Sequence, residues 1–220
     1  MAATSVLISV GTLVVSFIVG IITYFLTSQE SIDVRKKNIE EVSSFIVNVI
    51  IFIWIGKILL NINLFIQDPL AVLAYPSYSS AFYIGLIGAV LVFVRRMKKG
   101  LVDLAPFLNS LMVIFIFTSF TYEFVDYVWN DNLYTWRYLT LLFGITMIYI
   151  MISNKVSYYL TSGLLMVLWG LGQTILSILL PFTTVFGYLI SIWFFIIISI
   201  IGIVLLLTRK QVKAWQKQQT

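Results

Sequence analysis

Charged and amide side chains set inside apolar runs are the features of this sequence on which chemistry would rest. Lys57 interrupts the run from Phe45 to Phe65, within WIGKILLNI. An ammonium in hydrocarbon costs at least ~2.5–3.5 kcal/mol on insertion scales, so it is a functional candidate by default. Asn61 follows one helical turn later, with Asn63 beside it and Asn48 earlier on the same run. A helix would align Lys57 and Asn61 as a polar strip. That strip either faces a ligand inside the bundle, or belongs to a lysine that snorkels outward or pairs with a carboxylate for packing. Glu123 and Asp126, in TYEFVDYVW, cluster with Tyr122, Tyr127 and Trp129. The aromatics read as an interfacial belt, and the carboxylates as partners of Lys57 or as exposed groups. Gln173 and Ser177 are four residues apart and share one helix face. They can bond across helices or line a cavity.

The residue inventory narrows the chemistry. There are no cysteines and no histidines. Thiolate metal sites and thiol catalysis are excluded, and the side chain best suited to proton transfer near neutral pH is missing. No cofactor and no metal is expected. The chain is 60% hydrophobic and 10% charged over 220 residues, with a mean hydropathy of +1.02. A soluble domain carries about 25% charged residues, so this chain lacks the charge to cover a water-facing surface. The net charge of +5 does not indicate nucleic acid, because the cations sit in short loops between apolar runs.

Those runs are the elements that must position the polar residues. The expected fold is all-α: one transmembrane domain, residues 1–220, forming a polytopic helical bundle. Runs of ~20 apolar residues cross ~30 Å of hydrocarbon at 1.5 Å per residue. Seven are expected, at about 6–26, 45–65, 79–94, 104–120, 136–152, 157–180 and 186–207. The N-terminal run has no charged flank or cleavage site and reads as the first span. Twelve of the fourteen lysines and arginines fall in the loops 1–2, 3–4 and 5–6 and in the C-terminal tail. Asp68, Glu123, Asp126 and Asp131 fall on the opposite side. Basic loops stay in the cytoplasm, so the N-terminus is expected outside and the C-terminus inside. Loop 1–2, with charges of both signs, reads as an interfacial helix leading into span two. Asp103 and Pro106 suit a helix N-terminus, where a carboxylate meets free N–H groups. Gly85, Gly88, Gly170 and Gly172 mark close backbone approach between helices.

The segment AFYIGLIGAVLVFVRR, from Ala81 to Arg96, resembles the signature of the prolipoprotein diacylglyceryl transferases. There a His-Gly-Gly-Leu-Ile-Gly step opens a span that ends in a basic cluster. VDLAPF, WIGKILLNI and WGLGQTILS are similar to further family segments in the same order, across about residues 5–210. The resemblance implies a bacterial cytoplasmic membrane protein with seven spans and an outside N-terminus. It also implies a partner lipid of the phosphatidylglycerol type. The departures fall at the active site. The family's histidine falls on Tyr83 and the arginine of its sixth span on Gln173. Its glutamate falls on Ser177, and an arginine and asparagine fall near Phe120 and Glu123. The scaffold is similar while the catalytic residues are replaced.

Three functions follow as expectations. One is a non-catalytic relative that binds a lipid, a lipopeptide or a partner's membrane helix, as a regulator, chaperone or immunity factor. The second is a substrate-binding membrane subunit of a transporter. The third is a transferase with rebuilt chemistry on Tyr83, Lys57 and Glu123. The charge asymmetry makes the first testable statement: a tag after Thr220 is protected in intact cells and is labelled only after permeabilisation. Labelling from outside would reverse the orientation.

Overall fold

A computed structural model describes residues 2–28, 30–69, 72, 79–130, 135–153 and 155–218, with side chains between Val10 and Thr208. Asp131, counted above on the acidic side, lies outside the described residues. The chain is helical almost throughout. The helices are α1 (Ala2–Thr27), α2 (Ile32–Leu60), the short α3 (Ile62–Gln67), α4 (Ser79–Lys98), α5 (Leu104–Asn130), α6 (Thr135–Ile152), α7 (Tyr158–Leu179) and α8 (Ile192–Gln218). A hairpin of β1 (Thr184–Val185) and β2 (Tyr188–Leu189) separates α7 from α8. Six helices, α1, α2 and α4 to α7, are long and apolar enough to cross a membrane. α8 is apolar over Ile192–Thr208.

The helices pair as α1 with α5, α2 with α4, and α7 with α8. α5 also touches α2, α6 and α7, which makes it the hub. Half of its apolar stretch is buried, against 17% for α1, α2 and α4, whose outer faces are left to lipid. Small residues permit the pairing. Gly20 of α1 sits over the Ile114 carbonyl and Thr118 of α5. Gly85 and Gly88 of α4 receive Ile53 and Phe52 of α2. Gly170 of α7 lies against the backbone of Phe195 and Ser199 of α8, and Gly172 against Leu141 of α6. Without a hydrophobic force between helices in lipid, such close contact supplies much of the attraction. A ring cluster of Phe45, Phe93 and Phe107 joins α2, α4 and α5, with Phe93 and Phe107 stacked at 4.0 Å.

The ends follow local chemistry. α4 stops where Gly100 takes φ +69°. The Gly100 N–H bonds Met97 O and the Leu101 N–H bonds Arg96 O, the two bonds of a glycine-terminated helix end. Arg96 turns back to Glu41 of α2 at 2.9 Å and to Ser44 at 3.1 Å. The basic cluster thus also ties two helices together.

Several boundaries differ from the sequence reading. α2 begins at Ile32, so the mixed-charge stretch before Phe45 is its first turns and no separate element. It breaks at Asn61, whose side chain donates to the Lys57 carbonyl at 3.0 Å. α5 continues past Phe120 to Asn130, carrying Glu123 and Asp126 on helix. The last helix starts at Ile192 because residues 184–189 form the hairpin.

The close contacts predict a pair of opposite mutational effects. Gly170→Ala places a methyl into the Phe195 and Ser199 backbone, which cannot step aside, and lowers stability by about 1–3 kcal/mol. Gly144→Ala meets nothing and is neutral, or stabilising by up to about 1 kcal/mol through helix propensity. Unfolding of the detergent-solubilised protein measures both.

Candidate functional site

α5, α6 and α7 bring a set of polar side chains together near one end of the bundle. The extension of α5 stacks Ser119 and Glu123 one turn apart, and α7 stacks Trp169 and Gln173 in the same way. Tyr138 enters from α6. Glu123 is 4% exposed and Gln173 1% exposed. Together with Thr135, Tyr138 and Thr183 they line a cavity of about 30 Å³. That is room for about two water-sized groups. The Trp169 indole donates to the Tyr138 hydroxyl at 2.9 Å. The Gln173 amide approaches that hydroxyl without reaching hydrogen-bond geometry, so Gln173 Nε2 and Ser119 Oγ have no partner among the described residues. A buried donor left so costs about 1–3 kcal/mol.

The hairpin lids this cavity. Its turn, Phe186 and Gly187, has φ +51° and +79°. Two positive φ values make the tight turn that suits a two-residue hairpin. Phe186 packs edge-on against Phe115 and Tyr122 of α5. Ser177 holds the near strand through a 2.9 Å hydrogen bond with Thr183. Tyr83 holds the exit: its hydroxyl accepts the Ser191 N–H at 2.9 Å, and its ring lies 4.6 Å from Trp193 and 5.7 Å from Phe194.

The sequence candidates therefore separate. Glu123 and Gln173 share the cavity. Asp126 accepts from Thr135 at 3.2 Å and fastens the start of α6 to the end of α5. Ser177 and Tyr83 anchor the hairpin. Lys57 is half-buried on α2 and is not among the cavity's lining residues, and Asn61 caps the end of its helix. Five lining or supporting polar residues were missed: Ser119, Thr135, Tyr138, Trp169 and Thr183. A signal for the hairpin was present in TTVFGYL, where β-branched residues flank a Phe-Gly turn.

A second polar network was also missed. Between α1 and α2, Glu30 Oε2 accepts from Tyr24 (2.7 Å), Asn38 (2.9 Å) and Ser28 (3.2 Å). Arg35 donates to the backbone oxygens of Phe25 and Glu30, both at 2.7 Å, and so closes the end of α1. Tyr24 is fully buried.

Chemically, the α5–α6–α7 cavity offers a carboxyl, an amide donor and hydroxyls. Its lining has no cation. It can orient a carbonyl or hydroxyl group, and it has nothing to neutralise a phosphate. If Tyr83 serves the hairpin, Tyr83→Phe lowers stability by about 0.5–1.5 kcal/mol, while Tyr83→Ala costs more through the lost ring contacts. Equal stability of Tyr83→Phe and the wild type in thermal unfolding would remove this anchor. No protein-family model, curated protein or solved structure matches this chain.

Proposed function

We propose that this chain is a non-catalytic membrane protein that holds a lipid by its ester or amide carbonyl, on a scaffold similar to that of the prolipoprotein diacylglyceryl transferases. In this reading α8 is the seventh span. Its apolar stretch of 17 residues reaches about 25 Å at 1.5 Å per residue. With seven spans the twelve loop and tail cations lie on one side, which supports an outside N-terminus and a cytoplasmic C-terminus in a bacterial cytoplasmic membrane.

The observation that carries the reading is the unpartnered amide of Gln173. It is buried in the wall of the cavity between α5, α6 and α7. A lipid carbonyl supplies the missing acceptor. Phe182, which lines the same cavity, is also exposed and offers an apolar contact for an acyl chain. A lipopeptide or a partner's helix would present the same carbonyl chemistry. Non-catalysis is supported by geometry. The residues standing at the family's histidine and arginine, Tyr83 and Gln173, are engaged in different places.

Purification in mild detergent followed by mass spectrometry tests this. The wild type retains phosphatidylglycerol or a lipid of that kind, and Gln173→Leu retains about 10-fold less, the loss of one hydrogen bond to a desolvated partner. Incubation with phosphatidylglycerol and a lipobox peptide leaves the peptide mass unchanged. A peptide heavier by one diacylglyceryl group would make the chain an active transferase.

A further inference from the structure

A cavity of about 470 Å³ lies at the opposite end of the bundle from Gln173, where α1 and α6 end and α5 and α7 begin. Ligand pockets occupy about 300–1,000 Å³. The α1–α2 and α6–α7 loops both contribute to its walls, which include Glu30, Asn109, Ser153, Lys155 and Tyr158.

Three observations set its chemistry. Asn109, in the second turn of α5, is only 9% exposed and makes no hydrogen bond among the described residues. Neither atom of its amide is sealed off, so the surface they keep lies on the cavity that Asn109 lines. Polar groups buried to this degree ordinarily have a partner. Lys155 supplies the lining's ammonium, on an exposed side chain free to swing over the cavity. α7, 22 residues long, begins at Tyr158 with no side-chain cap, so the positive end of its dipole meets the cavity uncovered. Its lining also holds one carboxylate, Glu30. That group is taken up by Tyr24, Asn38, Ser28 and Tyr158, and Arg35 donates to the Glu30 carbonyl at 2.7 Å. Two cations thus stand against one carboxylate.

We infer that this cavity binds a phosphoryl anion, with Lys155 as its cation and Asn109, Ser153 and the first turn of α7 as its hydrogen-bond donors. An anion at a helix N-terminus gains from the dipole and from the free N–H groups together. An ammonium adds a charge-assisted bond. The phosphoryl group belongs to a lipid headgroup or to a soluble phosphate. The cavity lies where the apolar stretch of α1 ends at Thr27, so both sources reach it. The inference is independent of the Gln173 cavity, whose lining has no cation.

The test uses the full chain in mild detergent, titrated with dihexanoyl phosphatidic acid, dihexanoylglycerol and inorganic phosphate, with binding read by native mass spectrometry. The phospholipid binds about 10-fold or more tightly than dihexanoylglycerol, which has the same chains and no phosphate, as one charge-assisted hydrogen bond provides. Lys155→Gln lowers affinity for the phosphate that binds by about 10-fold, and Asn109→Leu by about fivefold. Lys98→Gln removes an equal charge from the exposed end of α4, outside the cavity, and leaves affinity unchanged. Phosphate-dependent binding of the lipid alone assigns a headgroup, and binding of inorganic phosphate assigns a soluble phosphate. Equal affinity for the two lipids with no binding of inorganic phosphate, an equal loss in Lys98→Gln and Lys155→Gln, or affinity untouched by Asn109→Leu overturns the inference. If Asn109→Leu fails to fold, the wild-type and lysine comparisons decide.

Discussion

Inside hydrocarbon no water is present to complete a hydrogen bond, and every polar group of this chain must find its partner within the fold. The helices meet this for the backbone, and most hydroxyls meet it by folding back on their own helix. Thr23, Ser110, Thr121, Thr146, Ser162, Thr174 and Ser199 each donate to the carbonyl four residues earlier. Where the backbone leaves the helix between α7 and α8 it closes its own ladder, and the Ile190 N–H returns to Thr183 O. Among the described residues six buried side-chain atoms stand outside this pairing, on Ser16, Glu30, Thr118, Ser119, Ser157 and Gln173, and of these residues Gln173 lines the cavity between α5, α6 and α7.

The same constraint links packing to the two cavities. α5 is the hub because it is the helix most fully sheltered from lipid, so it can carry Ser119 and Glu123 inward. The hairpin reaches the cavity because Tyr83, Ser177 and Phe186 hold it to three different helices. At the other end, Glu30 joins α1 to α2 through Tyr24 and Asn38, so loop 1–2 is built into the bundle.

What could be read in the sequence is what hydropathy encodes. The six long helices coincide with apolar runs, because length and apolarity alone set a span. The extension of α5 through TYEFVDYVWN was not legible, since hydropathy penalises Glu123 and Asp126 while the fold surrounds Glu123 with helices and gives Asp126 a hydroxyl. The far half of the hairpin was absorbed into the seventh run because Phe186, Tyr188 and Leu189 read as the start of a span. Gln173 and Ser177 were read from one-face spacing. The neighbours of Gln173 were not, because Tyr138 and Trp169 look like ordinary belt and core aromatics until tertiary packing aligns them. Glu30 was hidden in a mixed-charge loop, where a solvated carboxylate and a buried one have the same sequence appearance.

The account stands on the Gln173 amide being completed by something other than protein. An electron cryo-microscopy structure of the full chain in a lipid nanodisc measures this directly. The account predicts non-protein density ending in an oxygen at ~2.7–3.2 Å from Gln173 Nε2, continuous with an acyl chain that passes Phe182. A Gln173 amide bonded to Glu123 or Tyr138, with no lipid at the cavity mouth, would contradict it.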